Sequence, residues 1–307
     1  MRRYPDSLVK PAFGAALLCS LGGCATHSTG FLDPHGPVAA LQRSLFFEII
    51  GWMMIVVLPV LLLVPLLAWR FRRRNTAAVY RPDWTFNRPL EFAIWGVPIA
   101  VVAMLSYLVL RDEIALDPYA ALASGRKPLE IEVVGLDWKW LFIYPEQRIA
   151  TVGQLALPLG RPVHFRLTSD TVMQSFFIPA LGSQIYAMAG MVTQLNLEAE
   201  RPGRLRGLNT QYSGEGFQQQ RFSVPVLPPR DFAAWVDTVR AQGRPLDPAA
   251  YAVLAQRGTA AAAHRALATG EMPAGLLYFS GVAPGLFAAI LGRYRQADAG
   301  TMSMGVQ

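Results

Sequence analysis

Two long apolar runs stand early in the chain. Ile49 to Trp69 is 21 residues without a charge, about 31 Å as a helix and therefore long enough to cross the hydrocarbon core of a bilayer. Phe92 to Leu110 is a second uncharged run, of 19 residues, about 28 Å as a helix. Gly51, Pro59 and Pro65 fall inside the first run, which a lipid-embedded helix tolerates more readily than a water-exposed one. Beyond Leu110 the pattern changes to alternation. Leu129, Ile131 and Val133 alternate with Glu130 and Glu132, Val163, Phe165 and Leu167 with His164 and Arg166, and Leu195 and Leu197 with Gln194 and Asn196, before Phe222, Val224 and Val226 close the series. Such short segments, separated by turns such as Pro158-Leu159-Gly160 and Pro202-Gly203, predict a β-sandwich over 128–228. Pro228-Pro229 ends it. The Ala-rich remainder, with Asp231 and Asp247-Pro248 as helix starts and Gly243 and Gly258 as stops, predicts a short helical arm over 229–307. Within it, 272–294 reads as turns and short helices, and the tail beyond Ala297 as loose.

Charge adds an orientation. Arg70, Arg72, Arg73, Arg74, Arg81 and Arg88 crowd the segment between the two runs, opposed only by Asp83. A basic cluster of this kind elsewhere would suggest nucleic acid. Placed between two spans it is a topology signal, because arginine-rich loops stay in the cytoplasm. The N-terminus has a basic lead (Arg2, Arg3, Lys10), a short apolar core from Ala12 to Leu21, and then Leu21-Gly22-Gly23-Cys24. This is the build of a bacterial secretory signal ending in a lipobox, in which Cys24 is lipidated and becomes the first residue. The other reading is an unmodified cysteine after an uncleaved anchor. Lipidation occurs outside the inner membrane, so this signal and the arginine loop agree on a periplasmic N-terminus and a periplasmic sandwich. The expected order is a signal peptide over 1–23, a periplasmic segment over 24–43, a transmembrane helix over 44–69, a basic cytoplasmic loop over 70–89, a second transmembrane helix over 90–111, a linker over 112–127, the sandwich over 128–228 and the arm over 229–307.

The composition, 52% hydrophobic and 16% charged over 307 residues, fits a few spans plus one modest globular body. Both cysteines, Cys19 and Cys24, lie before the first span, so no disulfide framework and no cysteine-based metal site can exist downstream. The histidines (His27, His35, His164, His264) show no ligand spacing.

Several stretches carry a family resemblance in the right order. Leu136-Asp-Trp-Lys-Trp-Leu-Phe-Ile-Tyr-Pro-Glu-Gln147 resembles the tryptophan-rich segment of subunit II of the haem-copper oxidases, and Ser169-Asp-Thr-Val-Met-Gln-Ser-Phe-Phe-Ile-Pro179 resembles the loop bearing its first copper-binding histidine. Leu181-Gly-Ser-Gln-Ile-Tyr-Ala-Met-Ala-Gly-Met191 and Gln211-Tyr-Ser-Gly-Glu-Gly-Phe217 are similar to the quinol-oxidising, cytochrome bo-type branch of that family. The resemblance runs from Cys24 to about residue 295. It implies a cupredoxin-like sandwich behind a two-helix membrane hairpin, a quinol as electron donor, and a partner subunit I that holds the haems and the haem-linked copper.

The resemblance also locates what this chain lacks. In the cytochrome c branch the sandwich holds a dinuclear copper centre through two histidines, two cysteines, a methionine and a backbone carbonyl. Here the first histidine position is Gln174, the cysteine positions are Tyr212 and Gly216, the carbonyl position is Gly214, the later histidine is Gln220 and the methionine is Ser223. Soft thiolates hold such a copper pair, and none remains. The expectation is a structural sandwich with no metal and no cofactor in this chain, and no cytochrome c as partner. Equal numbers of acidic and basic residues over 128–228, eight of each, agree with this, since docking of a basic carrier gains speed from an acidic patch. Trp138 and Trp140 then read as packing residues. Met173, Met188 and Met191 also read as packing residues, with Cu(I) binding the minor alternative.

Glu91 is the remaining candidate. It precedes the second apolar run and stands seven residues before Pro98, the spacing of the family's proposed carboxylate where protons enter the lysine channel of subunit I. A carboxylate at a membrane boundary is by default a functional candidate. The competing reading pairs Glu91 with Arg88. Glu48, at the far end of the first span, reads as an interfacial or inter-subunit residue. The expected function is a non-catalytic subunit of a proton-pumping ubiquinol oxidase, with a free-standing periplasmic lipoprotein for copper handling or oxidase assembly as the alternative.

Overall fold

The computed structural model describes residues 30–77, 83–122, 124–182, 184–268 and 272–294. Cys24 and Arg81 lie outside the described residues. Two long helices come first. Helix α1 (Pro37–Arg70) starts with proline at its first position, where the missing N–H costs nothing. Helix α2 (Arg88–Ala115) is capped by Asn87, whose Oδ1 accepts from the Leu90 N–H at 3.3 Å. Both extend beyond the apolar runs that announce them: α1 starts well before residue 44, and α2 ends after residue 111. The extra turns carry the charged residues Arg43, Glu48, Arg111, Asp112 and Glu113 and lie on the side of the sandwich. There Arg111 donates to Glu48 at 3.0 Å and to its neighbour Asp112 at 2.7 Å, so the two helices are pinned antiparallel at that end.

The strands build two sheets. The first contains β1 (Leu129–Leu136), β2 (Lys139–Tyr144), β3 (Ile149–Val152), β5 (Val163–Ser169) and β8 (Thr193–Leu197). The second contains β4 (Leu157–Pro158), β6 (Gln174–Phe177), β7 (Ile185–Ala187), β9 (Gly203–Asn209) and β10 (Arg221–Leu227). Between them lies a core of Leu129, Ile131, Val133, Phe142, Phe165, Phe176, Phe222 and Val224. Phe176 and Phe222 stack face to face across it, centroids 5.4 Å apart.

The sandwich does not end at 228, and this corrects the expected boundary. Two strands from the arm, β11 (Arg244–Leu246) and β12 (Leu277–Val282), extend the first sheet to the order β11-β12-β3-β2-β1-β5-β8. Residues 277–282 are therefore a strand and not turns. Helix α3 (Pro229–Gln242) joins the inner core through Phe232, Val236 and Val239. Helices α4 (Pro248–Leu254) and α5 (Ala260–Leu267), with the helical segment 286–294, cover the outer face of the first sheet. Burial along β1 records this cover. Glu130 and Glu132 alternate with buried residues, but from Val133 onward every side chain is buried, because a second core of Val134, Leu136, Leu141, Tyr251, Phe279 and Phe287 lies on the other side. The arm thus makes a three-layer body in which β2 is buried on both faces.

The membrane helices enter this body without slack. His35 N–H donates to Ala180 O at 2.8 Å, Glu200 N–H to His35 O at 2.8 Å, and Ala39 N–H to Leu181 O at 3.2 Å. Gly36 lies so close to the backbone that an added Cβ would sit 2.1 Å from Glu198 O. After α2, Pro118 O accepts from both the backbone N–H and the side-chain Nδ2 of Asn196 on β8, each at 3.1 Å. The Asn196 Oδ1 in turn meets His164 Nδ1 at 2.9 Å, which gives that histidine a partner.

Candidate functional site

The two glutamines at the positions where the resemblance expects histidines come together. Gln174 opens β6 and Gln220 immediately precedes β10, and both are fully buried. Gln220 Nε2 donates to Gln174 Oε1 and, at 3.3 Å, to Lys139 O. Gln174 Nε2 donates to Leu136 O at 3.1 Å and to Thr171 Oγ1 at 3.0 Å. Gln220 Oε1 accepts from Asn209 Nδ2 at 2.9 Å, and Asn209 Oδ1 accepts from the backbone N–H groups of Ser175 and Gln211, both at 2.9 Å. The result is a closed amide network spanning both sheets. Buried amides persist only when their donors and acceptors are used, and here each listens to the next. Gly135 makes room for it: a Cβ there would lie 2.6 Å from Gln174 Oε1. Sequence reasoning missed Asn209, Thr171 and Gly135; only their positions across the strands reveal them.

The other four positions do not converge. Gly214 and Gly216 are packed against the indole of Trp138, and a Cβ on Gly216 would meet its Cδ2 at 2.3 Å. Trp138 holds a left-handed backbone (φ 62°), donates Nε1–H to Ser213 O at 3.0 Å, and carries the Arg257 guanidinium 4.8 Å from its ring centre. Tyr212 points outward, its ring packed edge-on to Phe217 at 5.2 Å. Ser223 lies within β10, its N–H donating to Gly153 O and its carbonyl accepting from Leu155 N–H. Carboxamides, a bare glycine pair and an outward phenol are no donor set for a thiolate-bridged copper pair, so these residues do not fit one. Trp140 belongs to the core, edge-on to Phe176 at 5.5 Å. Met173 and Met191, expected to pack, instead stand exposed, as do Val172, Tyr186 and Tyr212.

Two polar clamps tie the arm to this region. Asp170, in the loop before Gln174, accepts from Tyr251 OH at 2.6 Å and from Arg293 at 2.8 Å. Burial and the Asp170 carboxylate both push the Tyr251 phenol up. Lys139 is buried with no carboxylate bound, its ammonium donating to the carbonyls of Asp137, Gln256 and Gly258 at 3.1, 2.9 and 2.8 Å. Burial pulls its pKa down to about 8, against the opposing pull of Asp137. Unfolded lysine keeps its proton to higher pH, so the folded chain releases one first, and stability rises with pH above about 8 until the unfolded lysine also titrates. The unfolding midpoint of the wild type relative to Lys139→Met should therefore climb over that window. A difference that stays flat from neutral to alkaline pH would remove this linkage.

Glu91 occupies the first turn of α2, half-buried, with its N–H donating to Asn87 O at 3.0 Å. Among the described residues no ion pair joins it to Arg88 or to any other cation.

The chain is similar to known proteins over most of its length. The family model for the cytochrome c oxidase subunit II periplasmic domain matches residues 143–218, which hold β3 to β9 and the glycine loop. Cytochrome bo(3) ubiquinol oxidase subunit 2 of Pseudomonas putida is 44% identical over 256 residues, covering 83% of this chain and 80% of that protein. Ubiquinol oxidase subunit 2 of Acetobacter aceti is 44% identical over 276 residues, covering 89% and 84%. Quinol oxidase subunit 2 of Bacillus subtilis is 37% identical over 233 residues, covering 74% and 72%.

Proposed function

The chain belongs to the subunit 2 family of the quinol oxidases, and from that premise we propose that it serves a proton-pumping complex that oxidises ubiquinol and reduces oxygen, carrying no redox centre of its own. The observation that supports this most directly is the amide network at Gln174, Gln220 and Asn209, which replaces side-chain copper ligands with satisfied hydrogen bonds. An electron relay from cytochrome c would need that copper. The chain's contribution is then positional. Its helices lie against a haem-bearing subunit I through their exposed apolar faces, and the exposed side chains of Val172, Met173, Tyr186, Met191 and Tyr212 cap that partner from the periplasm. In this reading the arginine loop is cytoplasmic, the sandwich is periplasmic, and Cys24 bears the lipid of a mature N-terminus.

Purification through this chain tests the assignment. The preparation should carry haem and oxidise ubiquinol with oxygen uptake, whereas a haem-free chain would favour the free-standing lipoprotein. Mass spectrometry of the same preparation should show cleavage before Cys24 and an added diacylglyceryl group; an intact Met1 terminus would exclude the lipid anchor.

Copper restoration should fail for a steric reason. In the Tyr212→Cys/Gly216→Cys double variant, the new Cβ at residue 216 collides with Trp138, and Gln174 and Gln220 still offer amides. The purified variant is expected to hold no stoichiometric copper and to show no mixed-valence absorption. A purple copper band in that variant would refute this account.

A further inference from the structure

The cytoplasm-directed end of the helical hairpin carries a charge that nothing in the described structure neutralises. Arg70 ends α1, Arg72, Arg73 and Arg74 follow it, Arg88 begins α2, and all five are exposed. Among the described residues none of the five takes part in an ion pair. The opposite end of the same hairpin differs, because there Arg111 is shared by Glu48 and Asp112. The free guanidiniums are not needed to finish the helix, since Asn75 Nδ2 caps Arg70 O at 2.5 Å and Phe71 N–H donates to Leu67 O at 2.9 Å.

Aromatic side chains surround the cluster. Trp69, Phe71, Trp84 and Phe86 are all exposed, and the Arg72 guanidinium lies 5.2 Å from the Trp69 ring centre. Tryptophan at the end of a spanning helix marks the level of the lipid headgroups. Long apolar side chains continue directly from this level along both helices, including Leu66, Leu67, Leu90 and Phe92. A guanidinium fork matches the paired oxygens of a phosphodiester.

We propose that this end of the hairpin is a binding surface for anionic phospholipid, whose phosphodiester accepts from Arg72, Arg73 and Arg74 while its acyl chains lie along the adjoining apolar surface. Only the membrane placement of the two helices is needed for this contact, not the sidedness of the loop. A protein partner would have to supply several carboxylates at headgroup depth, where burial is costly; anionic lipid brings its charge there already.

Native mass spectrometry of the detergent-purified complex, offered equal amounts of phosphatidylglycerol and phosphatidylcholine with the same acyl chains, tests this. The wild type should retain phosphatidylglycerol preferentially. The Arg72→Gln/Arg73→Gln/Arg74→Gln variant should lose that preference by roughly fivefold per side chain removed, and the matching triple lysine variant should keep most of it. Equal retention of the two lipids by the wild type overturns the proposal. So does a preference for phosphatidylglycerol that survives the triple glutamine variant. If that variant sheds a partner subunit while lipid preference is unchanged, the arginines dock protein and the lipid assignment is likewise overturned.

Discussion

Glu91→Gln is expected to leave the oxidase assembled and to slow oxygen reduction by at least about tenfold, because a carboxylate that relays protons loses that role as an amide. The reasoning is positional. Glu91 stands in the first turn of α2, beside water and at the foot of a long apolar path. A carboxylate at that boundary is placed to take a proton from solvent and pass it inward. Glutamine keeps the volume and the hydrogen bonds but not the proton, whereas Glu91→Asp retains more activity than Glu91→Gln. Under the proposed function, the step affected should be proton-coupled reduction of the haem-copper centre and not oxygen binding. If Glu91 only paired with Arg88, then Arg88→Ala would reproduce the loss. No such pair exists among the described residues. Wild-type turnover in an intact Glu91→Gln complex would end the proton role.

Gln220→Ala should be the most damaging single change in the amide network. It strands the amide donor of Asn209, the Oε1 of Gln174 and the carbonyl of Lys139 in the interior, and it leaves a small cavity. Stranding buried polar groups costs about 1–3 kcal/mol each, so a total loss of about 3 kcal/mol is a conservative expectation once the loop has relaxed. For a body of this size that lowers Tm by roughly 6–12 °C. Tryptophan fluorescence of the detergent-solubilised full chain would report the transition, since Trp138 and Trp140 flank Lys139. Gln174→Ala should cost less on its own. The double variant should cost less than the sum, because each glutamine's loss already empties the other's partner. A change of Tm within error for Gln220→Ala would show that the network is not structural.

Much of this architecture was legible along the chain. The apolar runs announced both helices, and alternation announced β5, β8, β10 and the first half of β1, where one face lies in a core and the other carries polar or half-buried side chains. The arm was harder. Leu277-Tyr278-Phe279 shows no alternation, since β12 is covered by α3 on one side and by the outer helices on the other, and a short apolar run in that setting looks the same whether it forms a strand or a helix. β2 has the same difficulty, with Lys139 hidden at its start. The ligand positions at Gln174 and Gln220 could be named from the resemblance, but not their mutual hydrogen bond. Nothing in a linear reading links residues 135, 174, 209 and 220; that connection belongs to sheet register. The exposure of Met173 and Met191 was missed for a related reason, because methionine suits cores and contact surfaces equally well.

The joint between α1 and the sandwich sets an angular constraint. A helix advances about 100° and about 1.5 Å per residue. With His35 and Ala39 hydrogen-bonded directly to 180, 181 and 200, and Gly36 packed against the Glu198 carbonyl, there is no hinge in which a change of length could be absorbed. One residue added between Ala39 and Glu48 would turn the sandwich by more than a quarter of a circle about the helix axis, or else tear Pro118 from Asn196 at the second attachment. The azimuth of the sandwich above the bilayer is thereby written into the phase of a single helix. Length in that stretch should be far less free to vary than side-chain identity.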